Sequence, residues 1–337
     1  MQTSDWLRHE VTVHLTNTHL VEEAVIVAAN RSFETNHPVL RILYPHWQKT
    51  LSLNAAARTT LVPHVIVRLM GFEEAQGLSF IRNAYETFDY KGKYVPQDLK
   101  DRGFPPEKLK EPKYHNYVYA KCINDMWYKI RQYVEDMFSI SFKDDAQVKG
   151  DKEIQAWVNE MRSDTGAKLK KFPEINTLND LIDAVTMAIH IASPQHTSVN
   201  YLQNYYQSFV VNKPASLYAP PPETLEKLLA YKEKDLVNAL PMNHSQDWLL
   251  SSHIPYLLSF KPGDKESLII YAASKYQVYK AKTAPEEVKV KEAAARFYQR
   301  LANSKKEFSA YADQADDRDT INYQVLNPDW NAVSILI

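Results

Sequence analysis

Regularly spaced histidines near the start of the chain are the residues best suited to chemistry. His9, His14 and His19 recur every five residues, and Glu10 follows the first of them. The zinc-protease motif needs its second histidine four residues after the first, so this spacing disfavours a metalloprotease. Five residues rotate a regular α-helix by about 140°, which would turn the rings away from one metal ion. A π-helical turn would stack residues five apart and allow a metal site, whereas capped or solvated histidines are the simpler alternative.

A second polar cluster is the segment from Gln195 to Asn200. His196 and Asn200 are four residues apart and would share one face of a helix. Burying these two side chains on an apolar helix is unfavourable unless hydrogen bonds or a metal ion satisfy them. They would then bond to each other or to the backbone, or converge with His14 and His19 on one metal ion.

The C-terminal residues supply a candidate acidic ligand. The sequence closes on the apolar stretch from Val333 to Ile337, although chain ends are usually polar and frayed. This pattern predicts a buried end, and a buried terminal carboxylate must be paired or bind a metal. Three imidazoles, an amide oxygen and a carboxylate suit six-coordinate Fe(II) or Mn(II), whereas zinc is more often four-coordinate. A C-terminal segment that only packs on the surface is the alternative interpretation.

Composition excludes several other classes of protein. The 337 residues carry 40 Lys+Arg against 41 Asp+Glu, so no strong net charge marks the chain for nucleic acid, and no nucleic-acid partner is expected. The single cysteine, Cys122, excludes an internal disulfide framework and a cysteine-based zinc finger or iron–sulfur cluster. The seven glycines form no phosphate-binding or dinucleotide-binding motif. Kinases, P-loop ATPases and Rossmann dehydrogenases are therefore disfavoured.

The elements that must position these residues are predicted to be mainly α-helical, with few short strands around one core. A pattern that resembles a capping box at Thr177 begins a long helical segment. Pro194 would interrupt this segment. Residues 91–113, with several prolines and two glycines, are predicted to be a loop. The predicted helices cover residues 6–30, 73–87, 114–138, 151–162 and 286–312, together with a segment over 177–209.

Ordered motifs along nearly the whole chain resemble one known family. The motifs are Trp6–Glu10, His14–Leu20, His37–Pro38, Leu43–His46, Asn54–Arg58, Asp101–Gly103, Lys143–Trp157, Ala192–Asn200, Asn212–Pro214, Pro220–Pro222 and Asn331–Ile335. Together they resemble the catalytic domain of lipoxygenases. The resemblance implies a lipoxygenase-like helical bundle around two long metal-binding helices, as a single domain over residues 1–337. It covers the C-terminal portion of that catalytic domain, so the family's upstream helices and N-terminal β-barrel are expected to be absent.

The resemblance also implies the metal ligands, residue by residue, for one non-haem iron ion per chain, with manganese as the alternative. The family's three histidine ligands and its fourth ligand, which is Asn in plant-like members, fall on His14, His19, His196 and Asn200. The family's fifth ligand is the C-terminal carboxylate. The usual terminal isoleucine falls on Ile335, with Leu336 and Ile337 beyond it. We expect Ile337 to be the ligand because it carries the terminal carboxylate.

The implied activity is the addition of O2 to polyunsaturated, linoleate-like fatty acids with a 1,4-cis,cis-pentadiene, giving hydroperoxides. Leu15 and Leu20 follow the ligands and would line the substrate channel, although core packing explains them equally well. Lys213 matches a position where some plant members carry an arginine near the substrate carboxylate, and a solvated lysine is its alternative. Ala84 matches the Ala/Gly position that governs stereochemistry in the family, which implies S products.

Other interpretations stay open at this point. The residues beyond Ile335 and the missing upstream half favour a catalytically impaired lipoxygenase remnant with weak metal binding as the main alternative. A manganese member of the family and, more distantly, a zinc hydrolase are further alternatives. The start of the sequence has no signal-peptide pattern, so a cytoplasmic location is expected. Peripheral membrane contact and the oligomeric state are left open.

Overall fold

Helices make up nearly all of the architecture. The computed structural model describes residues 6–201, 203–259, 261–263, 265–316 and 322–337. The helices of ten or more residues are Leu7–Leu20, Val21–Ser32, Ala57–Ile66, Glu74–Glu86, Val118–Ser141, Lys152–Arg162, Leu178–His190, Ser245–Leu258, Leu268–Tyr279 and Pro285–Asp313. The shorter segments are Pro38–Leu43, Tyr44–His46, Thr50–Ala56, Val67–Met70, Val95–Asp101, Pro106–Lys108, Pro112–Tyr114, Asp145–Gly150, Ile191–Gln195, His196–Asn200, Gln203–Tyr206, Leu225–Ala230, Glu233–Ala239 and Pro241–Asn243.

Extended pairing is confined, within these ranges, to one antiparallel bridge between Ser267 and Ala332. The mainly α fold expected from the sequence is therefore confirmed. The two polar clusters of the sequence lie on two long helical segments. We call residues 7–32 the first histidine helix and residues 178–200 the second histidine helix.

The first histidine helix opens with a π-helical stretch. Leu7–Leu20 is π-helical and continues directly as an α-helix over Val21–Ser32. The Thr16 hydroxyl donates to the carbonyl of Val11 at 2.6 Å, and Thr18 makes the corresponding bond to the residue five before it at 2.8 Å. These bonds follow the wider turn, in which residues five apart stack along the helix. Histidines spaced five apart therefore share one face.

The second histidine helix passes through a proline. A capping box at Thr177 starts Leu178–His190, and the backbone continues as a π-helix over Ile191–Gln195 and as an α-helix over His196–Asn200. The interruption predicted at Pro194 is therefore wrong, because the wider turn accommodates a residue that lacks an N–H donor. The helix ends at residue 200, short of the end predicted near residue 209.

The main apolar core fixes one side of the second histidine helix. Val118–Ser141 packs against Leu178–His190 and also against Pro285–Asp313. Within this core, the buried ring of Tyr133 stacks on Phe297 with centroids 4.3 Å apart. Stacked, fully buried aromatic rings contribute a large apolar area and a defined geometry, so this side of the helix is firmly held.

One predicted loop contains helical turns. Residues 91–113 include the α-helix Val95–Asp101 and the short helices Pro106–Lys108 and Pro112–Tyr114. The loop prediction is wrong here because the prolines stand in the first turns, where a helix needs no N–H donor from them. Val95 and Leu99 are buried and anchor the α-helix on the core.

A smaller apolar cluster holds the first histidine helix from the other side. Trp6 and Val11 pack there with Val62, Ile66 and Ile254. These partners come from two helices far along the chain, so the cluster closes the fold around the histidines. Within the described ranges, no helix combines the length and the apolar character needed to cross a lipid bilayer.

Candidate metal centre

Three histidines from the two histidine helices meet at one point. Ring nitrogens of His14, His19 and His196 lie within 4.8 Å of one another. The Nε2 atoms of His14 and His19 are 3.3 Å apart, and the three ring centroids are separated by 5.1 to 5.4 Å. None of the three residues is more than 9% exposed. The π-helical turn and the second helix together thus create the geometry of a three-histidine metal site.

Two of the rings are oriented by side chains behind them. The Nδ1 atom of His14 lies 3.1 Å from Oε2 of Glu10, and that of His19 lies 2.9 Å from Oδ1 of Asn54. Because carboxylate and amide oxygens accept hydrogen bonds, each Nδ1 carries the proton and each Nε2 keeps its lone pair. Metal-binding histidines are commonly fixed in this way, by a partner on the ring nitrogen that does not bind the metal.

Burial sets the charge of the cluster. Desolvation, helped by the nearby His14, lowers the pKa of His19 to about 3, and burial lowers the pKa of His196 well below its ordinary value. Burial alone would raise the pKa of Glu10, but the hydrogen bond with His14 and the nearby His9 outweigh it and lower that pKa to about 2. Neutral imidazoles are the form that binds metals, and an ionised carboxylate behind one of them adds to its basicity.

The donor set fits a transition-metal ion. The Nε2 atom of His196 is buried and has no hydrogen-bond partner in the part of the chain that the structure describes. A buried polar atom without a partner is unfavourable by about 1–3 kcal/mol. Imidazole nitrogens suit iron and manganese as well as zinc, so a bound divalent ion would satisfy this atom together with its two neighbours.

Asn200, the predicted fourth ligand, follows His196 by one helical turn. Its side chain is buried, and its Oδ1 accepts a hydrogen bond from Nε2 of Gln203 at 3.3 Å. The amide is therefore held at the end of the same helix that carries the third histidine. Its role as a metal ligand stays a prediction.

Ile337, the predicted fifth ligand, lies beside the cluster. It lines the same cavity as His14 and His19, and its backbone acts to raise the pKa of His196 against the larger effect of burial. Ile335 is buried but does not line this cavity. The position of Ile337 agrees with its choice over Ile335, and the ligand role of its carboxylate stays a prediction.

An apolar cavity of about 230 Å³ opens in front of the histidines. His14, His19 and Glu10 form its polar wall, and its apolar walls include Leu15 and Ala57. A hydrocarbon chain in this cavity would lie directly beside the histidine cluster. This combination of a few polar groups with apolar walls is typical of ligand sites.

The remaining predicted substrate residues fall in different places. Leu15 lines the cavity, whereas Leu20 is half-buried against the smaller apolar cluster. Ala84 is half-buried on Glu74–Glu86 and does not line the cavity, so its stereochemical role stays a prediction without support from the cavity walls. Lys213 is only 7% exposed, and its Nζ lies 3.0 Å from Nδ1 of His9, so the solvated alternative is wrong.

Three residues of the site had no such role in the sequence analysis. Glu10 precedes His14 by four residues, a spacing at which helical side chains meet, so this pair could have been found from the sequence. Asn54 is 35 residues from its partner His19, and no local signal connects them. Ala57 directly follows the helix Thr50–Ala56, which packs against Leu7–Leu20, and no local signal marks it as a cavity residue.

Comparisons with known proteins identify one family. The lipoxygenase family model matches residues 1–327. The manganese lipoxygenase of Pleurotus sapidus is 47% identical over 338 residues, which are 99% of this chain and 51% of that protein. Linoleate 9S-lipoxygenase 1 of Oryza sativa subsp. japonica is 32% identical over 241 residues, 69% of this chain and 28% of that protein. A crystal structure of a fungal lipoxygenase from Fusarium graminearum superposes with a TM-score of 0.92 at 44% identity, covering 99% of this chain and 55% of that one.

The fold and the histidine cluster define a helical protein with a site of the non-haem metal type. The chain belongs to the lipoxygenase family. A coral 8R-lipoxygenase, at 23% identity and a TM-score of 0.80, shares the fold. The chain spans about half the length of the fungal relatives, 51% of the Pleurotus protein and 55% of the Fusarium chain.

Proposed function

We propose that this chain carries the metal-binding core of a lipoxygenase, which adds O2 to polyunsaturated fatty acids with a 1,4-cis,cis-pentadiene and forms hydroperoxides. The observation that carries this proposal is the three-histidine cluster opening directly onto an apolar cavity. A bound iron or manganese ion would supply the one-electron chemistry that removes a hydrogen atom from the methylene between the two double bonds.

The protein's own part in this reaction is binding and positioning. Leu15 and Ala57 offer hydrocarbon contacts and exclude water from the side of the cavity next to His14 and His19. No side-chain nucleophile or acid–base pair is called for, because the bound ion would supply the redox chemistry. The negatively charged carboxylate of Glu10 accepts a hydrogen bond from the ring of His14 and so orients that ring.

We propose one metal ion per chain, iron or manganese. His14, His19 and His196 provide three imidazoles, and the predicted ligands Asn200 and Ile337 would add two oxygens. Mixed nitrogen and oxygen sets of this kind suit both metals. The relative from Pleurotus sapidus is named a manganese lipoxygenase, which supports testing both metals in this chain.

A second candidate is a chain that binds metal but does not turn over alone. The cavity volume of about 230 Å³ lies below the usual range of ligand-pocket volumes, whose lower end is about 300 Å³. Apolar side chains are also strongly exposed on two helices, including Leu225 at 71%, Leu229 at 79% and Tyr256 at 66%. Single exposed apolar residues are ordinary, but Leu225 and Leu229 share one face of a helix, and adjoining exposed apolar residues mark a surface for contact with another part of a protein or a partner.

The experiment is metal analysis followed by a product assay. The purified chain is loaded with Fe(II) or Mn(II), its metal content is measured, and linoleate oxidation is followed by the absorbance of conjugated dienes. About one ion per chain with hydroperoxide formation is expected. His196→Ala is expected to lose the metal, and full retention of metal by this variant would overturn the site. Metal binding without product would favour the second candidate.

Location and membrane contact are further parts of the proposal. We propose that the protein is cytoplasmic and that it binds its fatty acid substrate at membrane surfaces. Fractionation of cells that make the natural protein tests the location, and sedimentation with lipid vesicles tests the contact.

A further inference from the structure

The ammonium group of Lys213 is directed toward a histidine behind the metal site. Lys213 is buried, does not line the cavity, and places its Nζ 3.0 Å from Nδ1 of His9. A lysine ammonium can only donate, so Nδ1 of His9 must accept and its proton must sit on Nε2. Gln207 also approaches this Nδ1, with its amide nitrogen at 3.0 Å, while donating to Glu10 at 2.8 Å.

The other ring nitrogen of His9 reaches the second histidine helix. His9 Nε2 lies 2.6 Å from the carbonyl oxygen of Val199, to which it donates. Val199 stands immediately before Asn200, the last residue of the helix, and the backbone turns extended at Tyr201. The last four carbonyls of a helix have no hydrogen-bond partner within the helix. The ring of His9 therefore donates a hydrogen bond to one of these carbonyls at the helix end.

We propose that Lys213, His9 and Val199 form a clamp that fixes the backbone before Asn200 and holds the two histidine helices in register. Lys213 is then a positioning residue of the metal centre, in contrast to a partner of the substrate carboxylate. The consequence for metal binding rests on the proposed function. The clamp itself involves only groups of this chain and is testable without metal.

The physical basis is the joining of three separate segments. His9 lies on the first histidine helix, five residues before His14, and Val199 lies on the second, three residues after His196. Lys213 approaches from the segment that follows. A hydrogen bond with a charged donor is stronger than a neutral one, and partners behind metal ligands typically change metal affinity by about 10- to 100-fold.

The first test uses the metal-free protein. Lys213→Met keeps the length of the side chain and removes the donor, and His9→Leu removes the link. His9→Gln keeps one acceptor and one donor and serves as the rescue. Hydrogen exchange of the backbone amides over residues 196–201 is expected to be about tenfold faster in the first two variants and closer to the unaltered rate in His9→Gln. Lys149→Met, at an exposed lysine, is the matched control.

The second test measures Mn(II) affinity by competition with a chelator, and KM for linoleate and for its methyl ester. We expect the Mn(II) Kd to rise about 10- to 100-fold in Lys213→Met, with KM changing alike for acid and ester. Unchanged exchange in both Lys213→Met and His9→Leu overturns the clamp. A higher KM for linoleate alone, with Mn(II) affinity unchanged, assigns Lys213 to the carboxylate and also overturns it.

The failures are distinguishable. If the unaltered chain binds no metal, the proposed function fails, while the exchange experiment still decides the clamp. If Lys213→Met does not fold by circular dichroism, the comparison of His9→Leu with His9→Gln decides it, because both variants keep the lysine.

Discussion

The Nδ1 atom of His19 lies 2.9 Å from Oδ1 of Asn54, and the amide nitrogen of Asn54 donates to the backbone carbonyl of the same histidine at 2.8 Å. The amide also donates to Glu23 at 2.9 Å. One side chain therefore fixes the ring, the tautomer and the backbone of a candidate metal ligand. Asn54 belongs to a separate helix, so the ligand geometry depends on tertiary packing.

Asn54→Ala is expected to weaken metal binding without unfolding the protein. The variant releases the ring of His19, and loss of a partner behind a ligand typically lowers metal affinity by about 10- to 100-fold. The measurement is the Mn(II) Kd by chelator competition. Asn30→Ala, which removes an exposed asparagine from the first histidine helix, is the control. An affinity for Asn54→Ala equal to the control's would show that this residue does not hold the site.

Glu10→Gln is expected to lower metal affinity by about tenfold, through loss of the charge and of the hydrogen bond that Glu10 accepts from Gln207. The amide oxygen can still accept from His14, so the ring keeps its orientation while the ionised partner is lost. Glu10→Leu removes the hydrogen bond as well and should weaken binding further. Glu74→Gln, at an exposed residue, is the control. Equal Mn(II) affinities for Glu10→Gln and the unaltered chain would assign the effect of Glu10 to orientation only.

The sequence predicted the helical class and the meeting of His14, His19 and His196, but it left the backbone geometry open. Five-residue spacing fits one metal only if the helix is π-helical, and side-chain bonds such as that from Thr16 to Val11 accompany this form. Local propensity does not distinguish the two helical turns. The resemblance to a family decided in favour of the metal site before the backbone was known.

The rest of the site depends on long-range packing and could not be predicted from local patterns. Asn54 meets His19 across 35 residues, and Lys213 meets His9 across 204. A match to a family position placed Lys213 near a substrate carboxylate, yet its burial against His9 follows from how three segments pack. The helix interruption predicted at Pro194 is wrong for a similar reason, because a π-helical turn accommodates a proline that a regular α-helix would not.

Ala57→Phe is expected to block the cavity while leaving the metal bound. Ala57 lines the cavity, and a phenyl ring there would occupy much of a volume of about 230 Å³. Linoleate turnover should fall at least about tenfold with an unchanged metal content, because substrate can no longer approach the cluster. Ala55→Phe is the control, since Ala55 is exposed on the same stretch of chain. Equal turnover in the two variants would place the substrate elsewhere.

Glu22 makes the stability of the fold depend on pH. Its side chain is fully buried; Oε1 accepts from Nε1 of Trp47 at 2.8 Å, and Oε2 has no partner among the described residues. Desolvation raises the pKa of this carboxyl to about 8, against the opposing effect of the Trp47 hydrogen bond. The folded protein therefore keeps the proton up to about pH 8, whereas the unfolded chain releases it near the ordinary glutamate pKa of 4.5.

Between about pH 5 and pH 8 the folded state binds more protons than the unfolded state, so the free energy of unfolding should fall as the pH rises. Glu22 contributes a decrease of up to about 1.4 kcal/mol per pH unit. Glu22→Gln keeps an acceptor for Trp47 and removes the titration, so its advantage over the unaltered chain should grow with pH across the same window. Urea unfolding at several pH values measures this difference. Glu86→Gln, at an exposed glutamate, should show no such trend. A constant difference between Glu22→Gln and the unaltered chain would mean that Glu22 is ionised in the folded protein.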